Sequence, residues 1–167
     1  GASALSGEIA RHGLKIAVIG IPKTIDNDMN WIQRSFGFTT AVEDARHAIV
    51  GAHTEATGAW NGIGLVKLMG RHSGFIAAHT CLSNIDVNFC LIPEVPFSLE
   101  GERGLLRQLE RRLVARRHAV VVVAEGAGQD LIEDSSNVEY DASGNRRLED
   151  IGVFLRNEIN RYFSKRR

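Results

Sequence analysis

Val120, Val121, Val122 and Val123 follow one another inside the segment His118 to Ala124. A strand with one face in water alternates apolar and polar residues, so an unbroken valine run needs both faces covered. That condition is met in parallel sheets flanked by helices on each side. Three further segments read as strands: Leu14 to Gly20, Ile63 to Met69, and Val87 to Ile92, the last stopped by Pro93. Helical patterns fall between them. Phe38 to about Glu55 carries Ala41, Ala45, Ala48 and Ala52 at helical spacing, with Thr40 and Glu43 as a capping-box signature. Ser73 to about Cys81 is short and apolar. Glu100 to Arg117 is amphipathic, with Leu105, Leu106, Leu109 and Leu113 on one face. Leu148 to about Ser164 presents Ile151, Phe154, Leu155, Ile159 and Phe163, after a polar loop over Ser135 to Asn145. The order β-α-β-α-β-α-β-α predicts an α/β fold, a parallel sheet with helices on both faces.

The 167 residues fit one domain by length. The 20 basic residues balance the 20 acidic ones, so the chain lacks the charge excess of a protein that coats nucleic acid or an anionic membrane. No apolar run is long enough to span a bilayer, and no secretory signal is visible. The absence of a starting Met fits a piece of something longer. Cys81 and Cys90 sit in no C-x-x-C pattern and read as reduced, partly buried thiols. The six histidines show no metal-ligand spacing and read as surface or satisfied residues. Trp31 and Trp60 fall in loops, where packing against another chain is one use for them. Arg103, Arg107, Arg111, Arg112, Arg116 and Arg117 lie mostly opposite the leucines and read as a solvated helix face.

In open α/β sheets, ligands bind beyond the carboxyl ends of the strands. Those ends carry Pro22-Lys23-Thr24-Ile25-Asp26-Asn27-Asp28, then Gly70-Arg71-His72-Ser73-Gly74, then Pro93-Glu94-Val95-Pro96-Phe97, then Glu125-Gly126-Ala127-Gly128-Gln129-Asp130. An Asp at position 26 can accept a proton from a hydroxyl, and a second Asp two residues on can help order Mg²⁺ or its waters. Lys23 can steady a transferring phosphoryl group. A solvated turn uses the same residue types, so spacing alone leaves both readings open. Gly70 permits close approach to the backbone. Arg71 opens a helix, where it can bind an anion or pair with a carboxylate. Glu125 can accept hydrogen bonds from sugar hydroxyls or orient its loop.

Taken in order, these blocks resemble the 6-phosphofructokinase family. The matching residues are Gly20 to Asp28, Ser35-Phe36-Gly37-Phe38 with Thr40-Ala41, Asn61 to Arg71, Leu91 to Phe97, and Ala124 to Asp130. The wording is closest to the plant-type, long-chain, ATP-dependent branch. The resemblance implies a Rossmann-like three-layer fold. It implies transfer of a phosphoryl group from MgATP to the 1-hydroxyl of fructose 6-phosphate, a step of glycolysis. Asp26 matches the proton acceptor, and Lys23 and Asp28 belong to the same catalytic motif, with Asp28 supporting the metal. Thr24, Ile25, Asp26, Met69, Gly70, Arg71 and Glu125 match substrate-binding positions. The cofactors implied are Mg²⁺ and ATP. The partners implied are fructose 6-phosphate, ATP and further copies of the chain in a dimer or tetramer, with no nucleic acid and no membrane.

Two features depart from the short bacterial pattern. Gly62 stands where that branch has an Arg seven residues before the Met of its triplet, and Lys23 replaces a Gly. Lys also occurs here in pyrophosphate-dependent members, so a pyrophosphate donor is the alternative, as is a non-catalytic regulatory subunit that binds sugar phosphate. The family's Gly-Gly-Asp-Gly nucleotide motif and its downstream sugar-phosphate segment are not in this sequence. Residues 1–167 are therefore expected to be the central portion of a subunit, an incomplete fragment carrying mainly the sugar-phosphate and catalytic region, and inactive alone. The expected compartment is the cytoplasm, with a plastid as the alternative.

Overall fold

The computed structural model describes residues 1–132, 140, 144 and 147–166. Its centre is a parallel sheet of three strands, β1 (Ile63–Leu68), β2 (Phe89–Leu91) and β3 (Ala119–Ala124), in the order β1-β3-β2. The ladder sets Leu65 beside Val121 and Lys67 beside Val123 on one flank, and Cys90 beside Val122 on the other. All six residues of β3 are buried. Its alternate side chains enter two separate cores. Ala119, Val121 and Val123 join Leu105, Leu109, Leu113, Ile151, Leu155 and Ile159. Val120, Val122 and Ala124 join Ile49, Val66 and Ala77 on the opposite face. The valine run is thus the middle layer of three, as expected.

The helices arrive on schedule but with shifted ends. α2 (Phe38–Gly58) buries Phe38, Ala45, Ile49 and Ala56, and α3 (Phe75–Leu82) packs beside it. Across the sheet lie α4 (Leu105–Arg116), whose leucine face is fully inward, and α5 (Ile151–Ser164). The arginine face of α4 is solvated: Arg107 pairs with Glu110, and Arg111 with Glu102. Arg112 donates to the His118 carbonyl at 3.2 Å. Arg117 stacks its guanidinium 4.2 Å from the Trp60 ring centre. The side chain of Asp150 caps α5 by accepting from the Gly152 and Val153 N–H groups. No helix among the described residues is long and apolar enough to cross a membrane.

Three sequence expectations need correction, and one helix was not foreseen. Leu14 to Gly20 forms no strand; Leu14, Ile16 and Ile19 are 53%, 59% and 85% exposed. Apolar alternation marks a tendency, whereas a strand also needs a neighbour for its backbone groups. Neither sheet edge takes this segment up among the described residues. Ahead of it, α1 (Ala2–Arg11) is a helix the pattern did not reveal, because it buries nothing. It rests on its small residues and the Arg11–Glu8 pair at 2.7 Å. The Thr40–Glu43 capping box is not formed. Gly37, at φ 85°, takes the N-cap position without a side-chain cap, and Phe38 anchors the first turn in the core. Finally, Cys81 is half-buried and Cys90 exposed, because β2 is an edge strand; both are free thiols. The polar loop expected over Ser135 to Asn145 lies mostly outside the described residues.

Candidate functional site

The site is assembled where β1 and β3 end side by side. Beyond β1 the chain runs through Met69-Gly70-Arg71, and beyond β3 through Glu125-Gly126. The ladder continues past both strands: the Glu125 N–H donates to the Leu68 carbonyl at 2.9 Å, and the Gly126 N–H to the Gly70 carbonyl at 3.0 Å. The Glu125 carboxylate in turn accepts from the Gly70 N–H at 3.3 Å. Two glycines make this closeness possible. A side chain on Gly70, whose φ is 130°, would meet the Ser73 carbonyl at 2.3 Å. One on Gly126 would sit 1.7 Å from the Arg71 carbonyl oxygen.

Against this rim lies the loop from Pro22 to Asp28. Its shape is set locally. The Thr24 N–H donates to the Ser35 hydroxyl at 3.0 Å, and Thr24 Oγ1 accepts from the Asp26 N–H at 3.3 Å. Asn27 adopts φ 57°, a left-handed conformation that Asn tolerates better than most residues. Its amide bridges back across the loop, accepting from the Ser35 N–H at 2.6 Å and donating to the Gln33 carbonyl at 3.1 Å. The Asp26 carboxylate accepts the Arg71 backbone N–H. Burial pushes its pKa above the ordinary carboxylate value, helped by the negative charges of Asp28 and Glu125. The Arg71 N–H and the Arg71 charge pull the other way.

Of the residues the sequence singled out, Asp26, Asp28, Gly70, Arg71 and Glu125 are brought together. Thr24 braces Asp26 from within the loop. Ile25 and Met69 line an adjoining cavity of about 410 Å³ with Thr40, Asp44 and Lys67. Lys23 is exposed at the start of the loop and is not brought into polar contact with Asp26 among the described residues. Three contributors lay outside the candidate set. Ser35 anchors the loop. Ser73 donates to the Asp26 carbonyl at 3.2 Å. Glu94 holds the Gly74 N–H with both oxygens, at 2.8 and 3.0 Å. All three stand in the blocks quoted above, but no spacing marked any of them for these contacts.

The carboxylates of the described residues do not converge on a divalent cation. No group of three His, Cys, Asp or Glu side chains among the described residues is disposed to hold a metal ion. Asp28 is exposed and supplies a single carboxylate. These residues therefore do not by themselves fit a closed metal site. The histidines are at the surface or in contacts elsewhere, as expected: His47 and His72 are exposed. His53 lies 3.5 Å from Asp86, and His79 packs edge-on against Phe38.

A parallel sheet with carboxylates and an arginine gathered at its carboxyl rim defines an α/β protein of the kind whose strand ends take ligands. Known proteins narrow that class. Residues 1–165 match the model of the phosphofructokinase family. An ATP-dependent 6-phosphofructokinase of Borreliella burgdorferi is 55% identical over 169 residues, covering 98% of this chain and 38% of that protein. ATP-dependent 6-phosphofructokinase 1 of Arabidopsis thaliana is 56% identical, covering 99% of this chain and 36% of its own length. Among solved structures, a pyrophosphate-dependent phosphofructokinase from Marinobacter aquaeolei superposes with a TM-score of 0.67 at 23% identity, covering 98% of this chain and 38% of that one, which speaks to the fold alone. The chain belongs to the phosphofructokinase family, and spans well under half the length of these curated relatives.

Proposed function

We propose that the chain is the central portion of an ATP-dependent 6-phosphofructokinase, carrying its proton acceptor and much of its sugar-phosphate site. The observation that carries this reading is the Asp26 carboxylate. It accepts the Arg71 N–H and feels the charges of Asp28, Glu125 and Arg71. In the reaction, the 1-hydroxyl oxygen of fructose 6-phosphate attacks the γ-phosphorus of ATP. The bond from that phosphorus to the bridging oxygen breaks, and ADP leaves. Asp26 takes the hydroxyl proton. Glu125 accepts hydrogen bonds from the sugar, while the Gly70 turn brings backbone close to it. Arg71 and Lys23 offset the phosphate charge. Thr24, Ile25 and Met69 shape the pocket. Positioning and charge complementarity supply most of the rate in such transfers. Asp28 is one carboxylate that would help order the waters of a Mg²⁺, which would supply charge neutralisation when bound.

The surface supports a longer protein. Leu14, Ile16, Ile19, Trp31 and Phe36 are exposed, an excess of apolar surface that further protein would cover. Further copies of the same subunit fit this excess, in a homodimer or homotetramer. The free thiols suit a reducing cytoplasm or plastid. Pyrophosphate is the alternative donor, because Lys23 suits either. The deciding experiment is a coupled assay of the full-length protein with each donor, alongside Asp26→Asn. ATP is expected to support turnover, and Asp26→Asn to lower kcat by about 10³-fold with KM little changed. Turnover with pyrophosphate alone overturns the donor, and a fully active Asp26→Asn overturns the reading of the site.

A further inference from the structure

We propose that Ser73 is a positioning residue for Asp26, which rests on the reading of Asp26 as proton acceptor. Ser73 is polar, yet only 5% exposed. Its hydroxyl donates to the Asp26 main-chain carbonyl at 3.2 Å. Two residues earlier, the Arg71 N–H is donated to the Asp26 carboxylate. One short turn therefore grips Asp26 twice, at its backbone and at its reacting group. The other hydrogen bonds described for residues 24–27 go to Ser35 and Gln33 or stay within the loop. Ser73 and Arg71 are thus its links to the strand ends.

A latch works only if its own base is rigid. The turn is fixed at both ends. Gly70 closes on the Ser73 carbonyl, leaving no room for a Cβ. The next peptide is clamped by Glu94, whose carboxylate takes the Gly74 N–H with both oxygens. Gly126 presses on Arg71 from the other side. Ser73 therefore transmits the position of the sheet to Asp26. Losing its hydroxyl frees the Asp26 peptide while leaving the carboxylate chemistry intact, and a misplacement of about 1 Å in such a group can cost about 100-fold in rate.

The test is made in the full-length protein with Ser73→Ala, Ser73→Thr, Asp26→Asn and the double variant Ser73→Ala/Asp26→Asn. Ser73→Ala is expected to lower kcat about tenfold, with KM for fructose 6-phosphate little changed and the thermal midpoint held. Ser73→Thr, which keeps the donor, is expected to recover most of the loss. Adding Ser73→Ala to Asp26→Asn is expected to cost nothing further, because the residue acts through a base already removed. A wild-type kcat in Ser73→Ala beside an inactive Asp26→Asn overturns the proposal. So does a further loss of about tenfold in the double variant, which marks a purely structural role. A fully active Asp26→Asn instead overturns the underlying reading of the base.

Discussion

Replacing Gly126 by Ala places a single methyl where two strand-end loops meet. The added Cβ would lie 1.7 Å from the Arg71 carbonyl oxygen, 2.6 Å from its carbonyl carbon and 3.1 Å from its Cα. All three are backbone atoms, so no side chain can swing aside. Restoring van der Waals contact requires the loops to part by roughly 1.5 Å. That movement stretches the Gly126–Gly70 hydrogen bond, now 3.0 Å, beyond use. Overpacking costs about 1–3 kcal/mol and the lost bond about 1 more, so the penalty is about 2–4 kcal/mol. The same movement displaces Arg71 and loosens the N–H that holds Asp26. A coupled assay of the full-length protein should then show kcat/KM reduced about 100-fold, equivalent to about 2.7 kcal/mol of lost transition-state stabilisation. Gly51→Ala is the control. Nothing lies within 4 Å of a Cβ there, and the residue sits inside α2. It should leave kinetics alone and stabilise by about 0.5–1 kcal/mol through helix propensity. Equal behaviour of the two variants would refute the close approach of Gly126 and Arg71.

Other expectations are simpler to check. Asp150→Ala removes the cap of α5 and the partner of Lys67, whose amine lies 2.9 Å away. The cap is worth about 1 kcal/mol and the half-exposed ion pair well under that, readable as a lower urea midpoint. The Lys67 hydrogen bond, then the Val153 N–H, holds the Asp150 carboxyl below its ordinary value of 3.8. A depressed folded value gives stability that is complete above that ordinary value and lost as pH falls through the folded one. Wild type and variant should therefore differ at neutral pH and converge in strong acid; a constant difference would count against the cap. Leu109→Ala empties a fully buried site between α4 and β3 and should cost about 3 kcal/mol by the same measurement.

The layers were legible because burial writes itself into composition. Val120 to Val123 needed two apolar faces, and Leu105, Leu106, Leu109 and Leu113 supplied one of them. The motifs after β1 and β3 were legible too, since those rim residues follow their strands directly in the chain, whereas the Pro22 to Asp28 loop follows no strand. What stayed hidden was any property shared between distant segments. Ser73 meets Asp26 across 47 positions, and Glu94 meets Gly74 across 20. No local spacing encodes either contact. Leu14 to Gly20 misled for the same reason, because its residues describe a strand but not the neighbour it requires. Thr40 misled differently: a good capping side chain was outcompeted by the burial of Phe38, which fixed the helix start three residues earlier, at Gly37.

The strand order carries a consequence for how the chain is made. β3 lies between β1 and β2 in the sheet, yet it is the last of the three to leave the ribosome. Until Ala119 to Ala124 emerge, neither earlier strand has its partner, and Ile63 waits for Ala119. Among the described residues, two apolar strands and their helices are then made before the strand that joins them, an interval in which exposed edges invite wrong pairings. Completion of one valine-rich segment then zips both ladders at once. Translation through that segment is the committing step, and slowing it should lengthen the period over which a chaperone holds the chain.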